Sequence, residues 1–479
     1  MQQTQTETFR GFLAKQVFRL GSIAGAWKIA LPPIEMIAHR LIIENGDLEK
    51  NGSRSQREDK CIMLFNVLRA AFKAYDHGSP VFREKIVSLF LNQFLGSSKE
   101  NVKDEFLKRY GVRPPGFMTI SPGGTCNLKC KNCYASSING NMPQLSAGIF
   151  NKILKEKYEK WGSWFTVVSG GEPFLWNDNG TDLIDIAEQN PDQFFMVYTN
   201  GTLIDEKRAK RIASVGNISP AVSVEGFEKE TDARRGQGTY KKILNAFENM
   251  RKEGIPFGIS VTATAENAEL LFTDEMVEFY INKQGAIYEW VFQYMPIGRS
   301  ADVANQISPE VRKKIWSREQ ELVKKNRLLI ADFWNGGTYS SGCIAGGRED
   351  GYLYVDWNGN IYPCVFVPYW KDNVNTIYSQ GKDMTDALFS DLFKGIRDWQ
   401  LSYSFRKHPH ERGNEIRPCI MRDHHLDAHK IFTSTNAKPG NESASICIND
   451  KCYREAMHSY DQELAKQLDP IWEEKYREL

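Results

Sequence analysis

The chain has 479 residues, with 61 Lys+Arg against 60 Asp+Glu, 41% hydrophobic and 25% charged residues. That length implies about two to four domains, and the near-neutral balance excludes the basic footprint of a nucleic-acid binder. The start "MQQTQTETFRGFLAK" has no basic segment followed by an apolar core, and no run reaches the ~18–20 apolar residues of a membrane span. A cytoplasmic location is therefore expected, where clustered cysteines serve metal binding or catalysis rather than disulfides.

Residues 1–112 read as a helical region. Phe9, Phe12, Leu13, Val17, Leu20, Ile23, Ala24 and Trp27 recur at three- and four-residue spacing, as one helix face requires. Pro32 and Pro33 are expected to interrupt this pattern. Further helices are expected over 61–75 and 83–96, with Cys61 as a buried structural thiol. From about residue 115 strand-like runs appear at 116–121, 163–169, 193–199, 219–225, 256–264 and 288–295. Helical segments separate them, which predicts β/α units around a parallel sheet. Six strands make a partial (β/α)6 TIM-type barrel over residues 113–335, too few for the closed eight-stranded form. The segment 308–332 is expected to be a charged helix. Residues 336–479 form a cysteine-rich C-terminal domain in which 433–445 reads as a flexible loop and the last twenty residues as a charged helix.

The run "CNLKCKNCYASS" (126–137) comes after the first strand, where β/α barrels place their active sites. Three thiolates from Cys126, Cys130 and Cys133 can hold three corners of a cubic [4Fe–4S] cluster, leaving one iron open. Zinc with a distant fourth ligand is the alternative. The second strand ends in "SGGEPFLW", the third in "YTNGT", the fourth in "SVEGF" and the sixth in "QYMPIGR". Polar, glycine-containing segments thus recur at one rim, and paired glycines let a ligand approach the backbone. Taken alone, the GGEP stretch is only a turn, and Glu172 caps the segment beyond it.

This ordered set resembles the radical S-adenosylmethionine (radical SAM) enzymes over roughly 115–300. The resemblance implies that Cys126, Cys130 and Cys133 hold a [4Fe–4S] cluster whose open iron binds SAM, and that one electron cleaves SAM to a 5′-deoxyadenosyl radical that abstracts hydrogen from substrate. Carried over position by position, Tyr134 covers the adenine side, Gly170, Gly171, Glu172 and Pro173 hold the SAM amino group, and Ser223 contacts the ribose. Arg235 pairs with the SAM carboxylate, a task suited to a planar guanidinium, with Arg234 as its adjacent rival. Asn200 and Glu225 are second contacts.

The remaining cysteines are Cys343, Cys364, Cys419, Cys447 and Cys452. Fifteen residues separate Cys343 from Gly359, and four separate Gly359 from Cys364. Asn358-Gly359 reads as the tight turn of a hairpin that brings the two cysteines together. The region resembles the SPASM/twitch auxiliary-cluster extension. Its five cysteines imply one auxiliary [4Fe–4S] cluster, held by Cys343, Cys364, Cys419 and either Cys447 or Cys452, with zinc as the alternative. His424 and His425 are expected to be a solvated pair rather than ligands. Val365 stands where sulfatase-maturating relatives carry an aspartate, which argues against that activity.

The expected function is radical modification of a peptide or protein. The alternatives are a small molecule such as a tetrapyrrole or lipid, and a non-catalytic iron–sulfur or electron-transfer module. An electron donor such as flavodoxin or ferredoxin is implied. Arg10, Lys15, Arg19 and Lys28 along the first helical face leave contact with a membrane surface open, although packing of that face on the barrel is favoured.

Overall fold

A computed structural model describes residues 25, 27–44, 52–94, 97–299 and 301–477. The first apolar face therefore lies outside the described residues except for Gly25 and Trp27, as do Arg10, Lys15 and Arg19. Trp27 is buried, stacks on Phe72 at 5.8 Å and donates its indole N–H to Asp76 at 2.8 Å.

Four helices precede the sheet: α1 Trp27–Glu44, α2 Arg54–His77, α3 Pro80–Phe94 and α4 Ser97–Tyr110. Pro32 and Pro33 do not interrupt a helix but lie inside α1. As the sixth and seventh residues they lie past the first turn, so each forfeits one backbone bond to the residue four before it, and the helix continues through them. Ser53 and Gln56 close a reciprocal cap on α2. Cys61 on α2 is buried, and burial pushes its thiol up to about 11, as an inert core thiol should behave.

All six expected strands form: β1 Phe117–Ile120, β2 Phe165–Val168, β3 Phe194–Thr199, β4 Ile218–Val224, β5 Gly258–Ala263 and β6 Glu289–Gln293. The helices between them begin at side-chain caps legible in the sequence. Ser146 starts α5 (Ala147–Trp161), Asp182 starts α6 (Leu183–Gln189) and Asp205 starts α7 (Glu206–Val215). After β4 come α8 (Glu228–Arg235) and α9 (Thr239–Lys252).

The segment 308–332 is not one helix. Its helix α10 covers Pro309–Lys324, and β7 (Ile330–Asp332) then pairs in parallel with β6. Asp332 ends the strand by accepting from the backbone N–H groups of Trp334 and Asn335. Next come the hairpin strands β8 (Tyr352–Val355) and β9 (Asn360–Tyr362), and β10 (Asp372–Asn373). The ten-stranded sheet runs β10-β9-β8-β1-β2-β3-β4-β5-β6-β7. From β8 through β7 every pairing is parallel, so the hairpin extends the barrel sheet beside β1 in the register Phe117↔Tyr352 to Ile120↔Val355. Aromatic rings stand between the two ends of this parallel stretch. Trp334 and Phe333, just past β7, meet Phe366 at 4.9 Å and Tyr352 at 6.1 Å.

The stretch 433–445 is also not a loop throughout. Helix α11 (Asp391–Tyr403) precedes it, α12 (His425–Ser434) runs into it, Lys438–Pro439 pair with Tyr369–Trp370, and α13 (Glu442–Asn449) starts at Asn441, whose side chain accepts from Ala444 N at 2.9 Å. The polar composition that suggested a loop supplies these turns and caps. The expected C-terminal helix is α14 (Lys451–Lys475). Among the described residues, no helix is long and apolar enough to cross a membrane.

Candidate active site at the carboxyl ends of the strands

Cys126, Cys130 and Cys133 lie beyond β1 on an irregular loop and line one cavity of about 170 Å³. Local bonds shape the loop. Cys126 N donates to Ile138 O at 3.0 Å, Ser136 N to Cys133 O at 3.1 Å, and Asn132 and Ser136 adopt positive φ. The loop is held from three sides. From β2, Gly171 N and Glu172 N donate to Gly123 O and Thr125 O at 3.1 and 2.9 Å. A Cβ on Gly171 would stand 2.1 Å from Thr125 O, so only glycine permits this approach. From α8, the backbone N–H of Lys131 donates to Arg234 O at 3.0 Å. From beyond β6, Arg299 N donates to Cys133 O at 2.9 Å, and its guanidinium donates to Cys130 O at 2.6 Å and to Ser137 O.

The residues expected around SAM divide into two groups. Tyr134, Gly170, Gly171 and Asn200 line the cavity with the cysteines, as do Ser223, Arg234 and Arg235. Burial raises the Tyr134 phenol to about 12, offset in part by hydrogen bonds to Ser169 and the Gly170 backbone. Asn200 donates to Asn127 Oδ1 at 2.8 Å, with Cys126 Sγ 3.9 Å away. Ser223 Oγ lies 3.0 Å from Ser260 Oγ.

Glu172, Pro173 and Glu225 stand behind the wall, outside the lining. The buried Glu172 carboxylate accepts from Thr199 Oγ1 at 2.7 Å, Asn200 N at 2.8 Å and Phe174 N at 3.2 Å, which ties the ends of β2 and β3 together. Burial raises it despite these bonds. Glu225, 1% exposed, accepts from Arg234 Nη1 at 2.6 Å and Arg235 Nε at 2.9 Å, all on Oε1. Its Oε2 has no partner. Burial works against the Arg235 charge, but Glu225 and the nearby Cys130 and Cys133 thiols hold its pKa above the ordinary value. A guanidinium therefore faces the cysteine loop, supported from behind by a carboxylate.

The donor set suits a cluster with one open corner. Three thiols converge on a single cavity beside exposed glycine backbone and a cation. Among the described residues, no group of three or more His, Cys, Asp or Glu side chains could hold a single metal ion. Gly298 and Arg299 were not singled out in the sequence. Their signal was the "PIGR" that ends the sixth strand segment, because Gly298 has φ +73° and a Cβ there would meet Tyr134 O at 2.3 Å.

A second cysteine group lies in the C-terminal half. Cys343, Cys364 and Cys419 line a larger cavity of about 620 Å³. The expected turn is present, with Gly359 at φ +80° and its N–H on Asp356 O at 2.9 Å. Cys364 Sγ lies 2.9 Å from Tyr352 Oη, and burial pushes its thiol up to about 12. The backbone N–H of Cys419 donates to Asp423 at 3.2 Å. Burial would lift Asp423, but Arg312 and Arg422 hold it well below the carboxylate range, and the Arg312–Asp423 pair is fully buried. Cys447 and Cys452 are outside this lining. Cys447 is buried with Pro296 O 3.9 Å from its sulfur, and Cys452 is exposed.

His424 and His425 are not a solvated pair. His424 packs against the stacked rings of Trp399 and Tyr403 with Nε2 3.0 Å from Arg417 O, and His425 is buried with Nδ1 2.9 Å from Met421 O. Burial lowers both to about 4, because α12 starts inside the fold rather than at its surface.

Residues 120–270 match the model of the Radical SAM superfamily. The chain is 28% identical over 298 residues to the mycofactocin maturase MftC of Mycolicibacterium smegmatis, covering 60% of this chain and 74% of that protein. It is 26% identical over 282 residues to the AdoMet-dependent heme synthase of Methanosarcina barkeri, covering 52% and 76%. Among solved structures, SuiB of Streptococcus suis bound to the precursor peptide SuiA aligns over 61% of this chain and 69% of that one, at 19% identity and a TM-score of 0.49. Over residues 120–270, which include the three-cysteine loop and the stretch from Ser223 to Arg235, the chain carries a radical SAM domain.

Proposed function

We propose that the chain is a peptide-modifying radical SAM enzyme in which Cys126, Cys130 and Cys133 hold the SAM-binding [4Fe–4S] cluster. The observation that carries this reading is the convergence of those three thiols with Gly170, Gly171, Ser223 and the Glu225-backed Arg235 on one cavity. When bound and reduced, the cluster supplies the electron that splits SAM into methionine and a 5′-deoxyadenosyl radical. The rest falls to the protein: Arg235 meets a carboxylate, the Gly170–Gly171 backbone meets an amino group, and aromatic walls exclude water. A flavodoxin- or ferredoxin-type donor in the cytoplasm would supply the electron. Cys343, Cys364 and Cys419 would hold an auxiliary cluster, with Cys447 or Cys452 completing it only after a rearrangement.

Peptide substrates are favoured because relatives in the comparison are named as maturases, including MftC and the sporulation killing factor maturation protein SkfB of Bacillus subtilis. A small-molecule substrate is the second reading. Its support is the apolar chamber beside the second cysteine group and the relatives named as heme synthases. The test is anaerobic reconstitution and reduction with SAM. The wild-type chain should release 5′-deoxyadenosine, and a Cys126→Ala, Cys130→Ala, Cys133→Ala variant should release none. Undiminished release by that variant would refute the assignment.

A further inference from the structure

The cavity of about 620 Å³ falls within the range of ligand pockets, about 300–1,000 Å³, and the end at Cys343, Cys364 and Cys419 is the part that the proposed auxiliary cluster would take. It begins at α2, where Leu64 and Val67 are 37% and 45% exposed, and passes Ala71 and Ala74. It crosses the amino-terminal ends of the strands, past Phe165, Phe194 and Pro256, and reaches Cys343, Cys364 and Cys419. Met196, Trp290, Phe333, Tyr352 and Phe366 belong to both this cavity and the one beneath the first cysteine group. The two chambers therefore share a wall of apolar side chains.

The lining has a distinct chemistry. Among the described residues that line it there is no Lys, Arg or His, so it offers no cationic partner to a substrate carboxylate or phosphate. Its polar side chains are few: Asp332 accepts from Gln293 at 2.7 Å and from the turn after β7, while Glu289 Oε1 and Trp334 Nε1 are left as isolated polar atoms on an otherwise largely apolar wall. A peptide backbone drawn into such a space would leave its N–H and C=O groups unmet, at a cost that a saturated chain avoids.

We propose that this cavity binds the hydrocarbon chain of an amphiphile, entering between Leu64 and Val67 and running toward the shared aromatic wall. The chain would bring unactivated C–H bonds beside the chamber in which a 5′-deoxyadenosyl radical would form. That last step rests on the radical SAM reading; the binding site does not. Transfer of a hydrogen atom from the chain to the 5′ carbon would leave 5′-deoxyadenosine and a carbon-centred radical on the chain.

The test uses the full chain, reconstituted anaerobically, with 1-octanol, 1-decanol and 1-dodecanol as probes in isothermal titration without SAM. The expected result is saturable binding of one molecule per chain, with affinity rising about fourfold per added methylene. Ala71→Trp, which fills the passage, should abolish dodecanol binding. Where that variant fails to fold, Ala74→Leu serves the same purpose, and the chain-length series on the wild type decides alone. Absence of saturable binding, or affinity indifferent to chain length, overturns the proposal. So does an uncharged apolar peptide that displaces dodecanol and binds more tightly. Binding that emerges only after residues 1–24 are removed would assign the cavity to the chain's own N-terminal segment and also overturn it. Alcohol binding without 5′-deoxyadenosine formation would remove the enzymatic reading and leave the site, while the reverse result would remove the site alone.

Discussion

Gly298 specifies the cysteine loop by both conformation and space. Its φ is +73°, and a Cβ would stand 2.3 Å from Tyr134 O and 2.5 Å from Cys133 O. Gly298→Val should therefore push the loop away from Arg299 and cost about 1–3 kcal/mol of local strain. Iron analysis after reconstitution should show the loss of about four irons per chain, one [4Fe–4S] unit; full retention would mean that the loop does not need this contact. The cysteines were legible not from their spacing alone but from the glycine-containing strand ends that follow them in order. Glu172 and Glu225 were legible as important but not in their roles. Sequence order shows that a carboxylate lies at a strand end, but not that Glu172 turns inward to bond Thr199 and Asn200 while Glu225 takes both arginines. Arg299 carried almost no signal, since an arginine a short way beyond a strand is usually a surface charge.

β6 begins at Glu289, a buried carboxyl that lines the larger cavity. Its Oε1 has no hydrogen-bond partner, and burial pushes the carboxyl up to about 8. The folded protein thus holds a proton that the unfolded chain releases near its ordinary carboxylate value of about 4.3. The stability this group contributes is fully present below that value and is lost as pH rises toward about 8. Glu289→Gln keeps the shape without the charge, so its melting temperature should gain on the wild type between pH 5 and pH 8, by a few degrees at the upper end. A constant difference across that range would show that Glu289 does not titrate with folding. Element reading succeeded where hydrophobic alternation was strong, as in β1 to β6. It failed at β7, because three residues are too few to show a period, and at α13, because the polar residues that begin a helix also compose loops.

Across the whole molecule, the sheet joins parts that composition separates. A break drawn at residue 335 falls between β7 and β8, yet β8 lies against β1 through four paired positions. α2 is tied to the opposite end of the chain, with Asp59 accepting from Thr338 Oγ1 and Tyr476 Oη at 2.8 Å each. Thermal unfolding should accordingly be a single transition, coincident by far-ultraviolet circular dichroism and tryptophan fluorescence; two separated transitions would show that the C-terminal part unfolds on its own. The β1–β8 ladder also acts as a ruler. A slip of one residue would turn Tyr352 from the chamber to the opposite face and carry Cys364 about 3.3 Å along the strand axis. Natural variants of this chain should therefore reject insertions between residues 352 and 364. There a single added residue would change the distance between two sets of thiols without touching either.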